Sequence, residues 1–162
     1  IVHPSELPRE RQLDLCAQCH SGEYTLLKKP FRFRPGDAVD DFHRLVELDD
    51  SDQPDVHTSN QMTRLEQSKC FQQSEMTCTT CHNPHELQRG DTPLFSRACL
   101  QCHEVQHCGA EVAAGVNLAD DCIGCHMPET RNVDLKVLSA DDVIVRSVDH
   151  FIRVVEEEAD TR

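Results

Sequence analysis

The sequence is short of the side chains that usually build a protein interior. Its 162 residues include no Trp and one Tyr, and only 38% are hydrophobic, against a usual apolar share of about 45–50%. No run approaches the roughly 18 consecutive apolar residues of a membrane-spanning helix, so we expect no membrane span. Lys and Arg number 16 against 29 Asp and Glu, which gives a net charge of −13. This balance argues against nucleic acid as a partner, because phosphate backbones are bound by basic patches.

Cysteine and histidine are abundant instead, with ten of each. Eight of the cysteines form four C-x-x-C pairs, and a histidine directly follows each pair. The four motifs consist of Cys16, Cys19 and His20; Cys78, Cys81 and His82; Cys99, Cys102 and His103; and Cys122, Cys125 and His126. One C-x-x-C pair alone could be a redox pair or half of a zinc site. Zinc sites do not require a histidine directly after the second cysteine, and here all four copies have one.

C-x-x-C-H is the attachment motif of c-type haem. Positions i and i+3 of a helical turn share a face, so both thiols can bond to the vinyl groups on one edge of a porphyrin. The next residue then becomes the proximal iron ligand. The sequence therefore predicts four covalent haem c groups with four proximal histidines. The large flat macrocycles would replace the aromatic side chains that the sequence lacks.

The second axial ligands must come from elsewhere in the chain. Six further histidines are present, which predicts bis-His coordination at most or all of the irons. The favoured distal ligands are His3, His57, His85 and His150, and the weaker candidates are His43, in an acidic loop, and His107, beside Cys108. Methionine is the other common ligand in electron-transfer haems. The three methionines here are expected to act mainly as flexible gap-fillers against porphyrin.

Two cysteines, Cys70 and Cys108, lie outside the motifs. Proteins with this haem attachment acquire it outside the cytoplasm, so we expect a periplasmic or extracellular location. In an oxidising compartment the two cysteines either form a disulfide, which is the simpler outcome, or stay as buried free thiols. The chain begins at Ile1 with neither Met nor an apolar signal segment. We interpret it as a processed protein or a piece of a longer one.

The expected fold is a single domain over residues 1–162, mostly α with little regular structure and packed around haem. Pro8 predicts the start of a helix that runs into the first motif, and residues 57–74 predict a second helix. Thr92–Pro93 and Asp120–Asp121 predict helix starts before the last two motifs. The β-branched run 143–155, which contains His150, predicts a short C-terminal strand. The last three motifs begin at residues 78, 99 and 122, which leaves little room for polypeptide between closely packed haems.

Residues 64–85, 122–128 and 149–154 resemble a class of secreted multihaem c-type cytochrome domains. Such domains are often joined to tetratricopeptide repeats in large bacterial proteins. They are similar, more broadly, to the multihaem cytochromes of nitrogen and metal respiration. The resemblance implies a mostly helical structure, bis-His iron and electron transfer. It also supports the four favoured distal histidines and a disulfide between Cys70 and Cys108.

Bis-His iron has no open coordination position, so such haems only exchange electrons. The expected function is electron transfer, as a soluble carrier or as a subunit of an extracellular conductive filament. Filament assembly would use haem stacking and strand addition by the C-terminal segment. The alternatives are a reductase of the nitrite or hydroxylamine type, which needs one open-coordinate haem, and a structural or sensory haem module. The acidic charge favours redox partner proteins with basic docking surfaces.

Overall fold

A computed structural model describes residues 2–46, 59–109, 117–132 and 145–155. The structure is mixed, about 41% helical and 9% strand, with little regular structure. The described α-helices are α1 (Arg9–His20), α2 (Gln61–Leu65), α3 (Lys69–Gln72), α4 (Thr92–Cys99) and α5 (Cys122–His126). Short 3-10 turns lie at Pro4–Glu6, Val39–Asp41, Cys78–Thr80, Val105–His107 and Leu118–Asp120. The expectation of little regular structure is confirmed, whereas the fold is mixed rather than mostly α.

Two small antiparallel sheets complete the described secondary structure. Strand β1 (Tyr24–Leu26) pairs with β2 (His43–Leu45), so that Leu26 lies opposite His43. Strand β3 (Glu129–Asn132) pairs with β4 (Val145–Val148), so that Glu129 lies opposite Val148. None of the helices in the described ranges is both long enough and apolar enough to cross a membrane.

The predicted helix starts are confirmed. Helix α1 begins directly after Pro8, without a side-chain cap, and ends with the first motif. Asp91 caps α4 by accepting a hydrogen bond from the Leu94 N–H at 3.0 Å. Asp121 caps α5 in the same way, with the Gly124 N–H 3.0 Å from its carboxylate. These caps satisfy N–H groups that have no partner inside the helix.

The single helix predicted over residues 57–74 is wrong in the described part. The chain forms α2 and α3 there, and the backbone of Ser68 between them is extended. Ser68 is fully buried, and its hydroxyl accepts a hydrogen bond from the Ile152 N–H at 2.8 Å. The hydroxyl also donates to the His150 carbonyl at 3.3 Å. The break in the helix therefore allows Ser68 to contact the distant C-terminal segment. Residues 57 and 58 of the predicted helix lie outside the described residues.

The strand predicted over residues 143–155 is shorter than expected. Strand β4 ends at Val148, and residues 143 and 144 lie outside the described residues. After the strand, the carboxylate of Asp149 accepts a hydrogen bond from the Phe151 N–H at 3.0 Å. Such an aspartate turn competes with strand pairing. It places His150 in a turn after the strand.

The apolar core of the described chain is small. Its buried hydrophobic side chains are Leu13, Ala17, Met62, Leu65 and Phe71. They come from α1, α2 and α3, which pack together. Arg9 covers one edge of this core, because its guanidinium lies 4.5 Å from the Phe71 ring centre and donates to the Phe71 and Met76 carbonyls. Arg9 therefore adds polar contacts at the edge of this small apolar core.

A buried ion cluster connects α2 to the C-terminal segment. Asp149 is only 1% exposed, and Arg64 donates two parallel hydrogen bonds to its carboxylate, at 2.8 and 2.7 Å. Arg153 donates a third at 2.6 Å. Loss of one member of such a pair leaves an uncompensated buried charge. The cluster therefore fixes the backbone directly before His150.

We predict that Asp149→Asn destabilises the fold and removes part of its acid sensitivity. Burial alone would raise the pKa of Asp149, but hydrogen bonds from Arg64, the Phe151 N–H and Arg153 outweigh burial and lower the pKa to about 2. Because the folded pKa lies below the unfolded one, the carboxylate stabilises the fold above about pH 4, and this contribution is lost as the pH falls towards 2. The substitution should lower the free energy of unfolding by roughly 3 kcal/mol at neutral pH.

The measurement is urea unfolding followed by circular dichroism at several pH values between neutral and 2. Asp120→Asn, at an exposed aspartate, is the matched control and should keep both the stability and the pH profile of the parent protein. Equal stability of Asp149→Asn and the parent at neutral pH would contradict the role given to this cluster.

Candidate functional site

Each C-x-x-C-H motif closes a helical turn, as the spacing predicts. The first motif lies at the end of α1, and the fourth forms α5. In the second, the His82 N–H donates to the Cys78 carbonyl at 2.9 Å. In the third, the His103 N–H donates to the Cys99 carbonyl at 3.0 Å. The two cysteines of each motif therefore occupy positions that share one face of a turn.

The first and second motifs are in contact, although 62 residues separate their first cysteines in the chain. The thiols of Cys16 and Cys78 form a hydrogen bond, which lowers the pKa of Cys16 to about 6. The same hydrogen bond, followed by burial, raises the pKa of Cys78. Cys78 also packs against the apolar core. The core thus brings two of the four motifs together at their first cysteines.

The third and fourth motifs form a similar pair. The buried Ser96 on α4 accepts a hydrogen bond from the Cys122 N–H at 2.9 Å. Burial, followed by the nearby Cys122, raises the pKa of Cys99 to about 11, with a smaller contribution of the same sign from Cys81. The ring centres of His82 in the second motif and Phe95 on α4 lie 5.2 Å apart. The second motif therefore lies beside the helix that ends at the third motif.

The structure brings His150 to the second motif. The ring centres of His82 and His150 lie 6.1 Å apart, and the ring planes differ by 21°. Burial lowers the pKa of His150, and burial likewise lowers the pKa of His82, with a further lowering by His20. Both imidazoles are therefore neutral at neutral pH, the state in which imidazole binds a metal.

The separation of these rings fits a shared metal ion. Transition metals bond imidazole nitrogen at about 2 Å, so two imidazoles on opposite sides of one ion have ring centres roughly 6 Å apart. The observed value is 6.1 Å. His82 is a predicted proximal ligand and His150 a predicted distal ligand. The pair therefore has the donor set and the spacing that one bis-His haem requires.

Three ring nitrogens are held in a way that leaves the opposite nitrogen for a metal. His126 Nδ1 lies 2.9 Å from the Arg153 carbonyl, and His150 Nδ1 lies 3.0 Å from the Val148 carbonyl. A carbonyl oxygen only accepts, so Nδ1 carries the proton and Nε2 keeps its lone pair. His20 Nδ1 lies 2.9 Å from the Gln61 side-chain oxygen. This is the hydrogen-bonding pattern that orients metal-binding histidines.

The other predicted ligands are not gathered in the same way. His3, His85 and the proximal His103 are exposed, and His57 lies outside the described residues. The weaker candidate His107 is also exposed, with Nε2 3.8 Å from a Glu104 carboxylate oxygen. For these residues the haem-ligand assignment stays a prediction.

His43 deserves more weight than its acidic surroundings in the sequence indicate. Its Nδ1 is buried and has no hydrogen-bond partner among the described residues, and its ring stacks on Tyr24 with centres 4.1 Å apart. A buried polar atom without a partner marks a place where a binding partner is missing. The only sequence signal was the histidine itself, because no local pattern predicts that β1 and β2 pair.

The predicted disulfide between Cys70 and Cys108 is not formed in the structure. All ten cysteines are free thiols, with Cys70 half-buried and Cys108 exposed. Cys70 lies instead near Cys81 of the second motif. Burial raises the pKa of Cys81, and the nearby Cys70 adds to this increase. Helix α3 packs with the core beside that motif, whereas Cys108 follows a surface turn.

In the part of the chain that the structure describes, no three His, Cys, Asp or Glu side chains converge to hold a bare metal ion.

We predict that His126 and His150 carry their ring proton on Nδ1. In long-range nitrogen–proton correlation spectra of the diamagnetic reduced protein, Nδ1 of both rings should give the signal of a protonated nitrogen. His107 is the control, because it is exposed and its Nε2 rather than its Nδ1 faces an accepting oxygen, a Glu104 carboxylate oxygen at 3.8 Å. Spectra with the proton on Nε2 of His126 or His150 would exclude these residues as Nε2 metal ligands.

Comparisons with known proteins add no relative from which a role could be transferred. No protein-family model matches the chain. Searches of curated proteins and of solved structures find no match either. The function of this chain is therefore inferred from its own motifs and geometry.

Proposed function

We propose that this protein transfers electrons through four covalently attached c-type haems, most of them with bis-His iron, outside the cytoplasm. The observation that carries the proposal is the 6.1 Å separation of His82 and His150, at one of four intact C-x-x-C-H motifs. His82 was predicted as a proximal ligand and His150 as a distal ligand. Their meeting across 68 residues is what a bis-His site at the second motif needs.

The chain's own residues would attach, orient and tune the cofactor. The eight motif cysteines would form the thioether bonds, and the bound haem would supply the one-electron chemistry. The Arg153 and Val148 carbonyls hold the rings of His126 and His150 through Nδ1. Such hydrogen bonds make the opposite nitrogen a stronger donor. They would lower the reduction potential by favouring the ferric iron.

The pairing of motifs supports conduction along the chain. Cys16 and Cys78 lie side by side at the first two attachment points, and the Ser96–Cys122 hydrogen bond joins the last two. Haems attached at neighbouring points would lie close to each other, which favours rapid electron exchange. The protein would then act as a carrier, or as a conducting subunit of a filament. Redox partners with basic surfaces would be attracted by its acidic charge.

The size of the apolar core supports the same proposal. Five buried hydrophobic side chains form the core of the described residues, whereas several large apolar side chains are exposed. A polypeptide with so little buried apolar surface gains little hydrophobic stabilisation. Four macrocycles would supply the missing apolar surface and cover part of what is exposed. We expect the haem-free chain to be far less stable than the haem-loaded protein.

We predict that the intact mass of the secreted protein exceeds that of the polypeptide by four haems, and that the colour stays with the protein in acidified acetone. Replacement of both cysteines of one motif, as in Cys16→Ser with Cys19→Ser, should remove one haem. Cys108→Ser is the control, because this cysteine lies outside the motifs, and it should keep all four. A bare polypeptide mass would overturn the proposed function.

We predict that His150→Ala converts one of the four haems to a high-spin form in low-temperature electron paramagnetic resonance. The reason is that one iron loses its sixth ligand, and added imidazole should restore the low-spin signal. His107→Ala, at an exposed histidine, is the control and should leave every iron low-spin.

Two outcomes of that measurement would contradict the proposal. Four low-spin haems in His150→Ala would remove His150 from the ligand set. A high-spin haem in the unmodified protein, with a Soret band that shifts when nitrite or cyanide is added, would favour the reductase.

A further inference from the structure

The hairpin of β1 and β2 concentrates exposed apolar side chains on one segment, residues 24–46, which we term the hairpin surface. The exposed large hydrophobic residues of this surface are Tyr24, Leu26, Leu27, Phe31, Leu45 and Val46. Phe31 is the extreme case, with an exposed fraction of 104%. Clusters of exposed apolar residues of this kind mark interaction sites on soluble proteins.

Phe31 is also held in an unfavourable backbone conformation. Its φ is +61°, a region that residues other than glycine rarely adopt because Cβ crowds the backbone. A strained backbone that displays a fully exposed aromatic ring does not stabilise the isolated chain. Strain of this kind is typical of sites that bind something. An aromatic side chain that fills a partner's pocket is a common centre of protein interfaces.

Cations surround this aromatic tip. Residues 24–35 contain Lys28, Lys29, Arg32 and Arg34 and no acidic residue, in a chain with a net charge of −13. Leu27, Lys28, Lys29, Arg32 and Phe42 line an open cavity of about 700 Å³ beside the tip. Lys28 Nζ lies 3.9 Å from the centre of the Phe42 ring, so its stem covers the aromatic floor. The site combines apolar walls with a positive rim.

We propose that the hairpin surface docks on the acidic surface of a second copy of this chain. The cationic part of the hairpin surface is residues 24–35, whereas Asp37, Asp40 and Asp41 lie in its second half. The copy has the complementary charge, because all 29 acidic residues lie outside residues 24–35. Net repulsion between copies does not prevent the contact, since charges are screened beyond about 8 Å at physiological ionic strength. The local pairing of four cations with carboxylates then decides the interaction, with Phe31 as its apolar anchor.

A contact of this type joins two different surfaces, so it is heterologous, and a pair of copies keeps one free hairpin surface at one end and one free acidic surface at the other. Heterologous contacts extend into open chains unless the rotation closes a ring. This inference rests on the proposed function in one respect, which is that the second copy would be a redox partner in electron transfer. The association itself can be measured without reference to electron transfer.

The test is sedimentation velocity of the full haem-loaded protein over a range of concentrations, at physiological ionic strength (low salt) and at about 1 M (high salt). The parent protein should exceed the monomer mass at low salt and return to it at high salt. Phe31→Ala and Arg32→Glu should each weaken the association by about tenfold or more. Leu87→Ala and Arg89→Glu are the matched controls, since Leu87 is 95% exposed and Arg89 is also exposed, and both should associate like the parent.

Circular dichroism and haem content identify any variant that fails to fold, and Phe31→Trp gives a second readout. The chain contains no Trp, so the new indole is its only one, and its emission should shift to shorter wavelength as the concentration rises. A parent protein that stays monomeric at low salt would overturn the proposal. Association that survives both hairpin substitutions would overturn it as well.

Vesicles separate this proposal from a lipid-binding role. A monomeric protein that binds phosphatidylglycerol vesicles but not phosphatidylcholine vesicles, and loses this binding in Phe31→Ala, would overturn the proposal and assign the hairpin surface to anionic lipid. Haem mass and spin state are measured on the same samples. A protein that carries four low-spin haems but does not self-associate would therefore overturn this inference and leave the proposed function standing.

Discussion

The carboxylate of Asp149, buried between Arg64 and Arg153, is the contact on which the described arrangement depends most. It joins α2 to the C-terminal segment across 85 residues with two parallel hydrogen bonds. The Ser68 hydroxyl adds a second connection to the same segment, through the Ile152 N–H. Between these two attachments lies His150. Its position near His82 is therefore set by polar contacts rather than by apolar packing.

Polar contacts suit this task because they have direction. A small apolar core would tolerate rotation of the segment at little cost, whereas a bidentate guanidinium–carboxylate pair fixes both distance and angle. The cost of burying the charges is offset because all of the Asp149 carboxylate oxygens accept hydrogen bonds from charged donors or the backbone. Under the proposed function His150 would bind iron, and such supporting contacts would hold it with the accuracy that a metal site needs.

Features that depend on neighbouring residues could be predicted from the sequence, whereas contacts between distant residues could not. The turns of the four motifs and the caps at Asp91 and Asp121 follow from residues within four positions of each other. The helix over 57–74 was wrong and the strand over 143–155 was predicted too long, because Ser68 and Asp149 use their side chains on distant segments. The same limit hid the burial of His43 Nδ1, since β1 and β2 pair without a sequence signal. His82 and His150 were both predicted as ligands, but their proximity was not predicted.

The exposure of the motif cysteines bears on how electrons would enter and leave. In the first, third and fourth motifs the first cysteine is half-buried, whereas the second, Cys19, Cys102 or Cys125, is exposed. A haem bonded to both would have one attachment inside the chain and the other at the surface. Its inner side would lie near the neighbouring motif, and its outer edge would remain within reach of a partner. Under the proposed function, this exposure would allow electrons to pass across the protein surface.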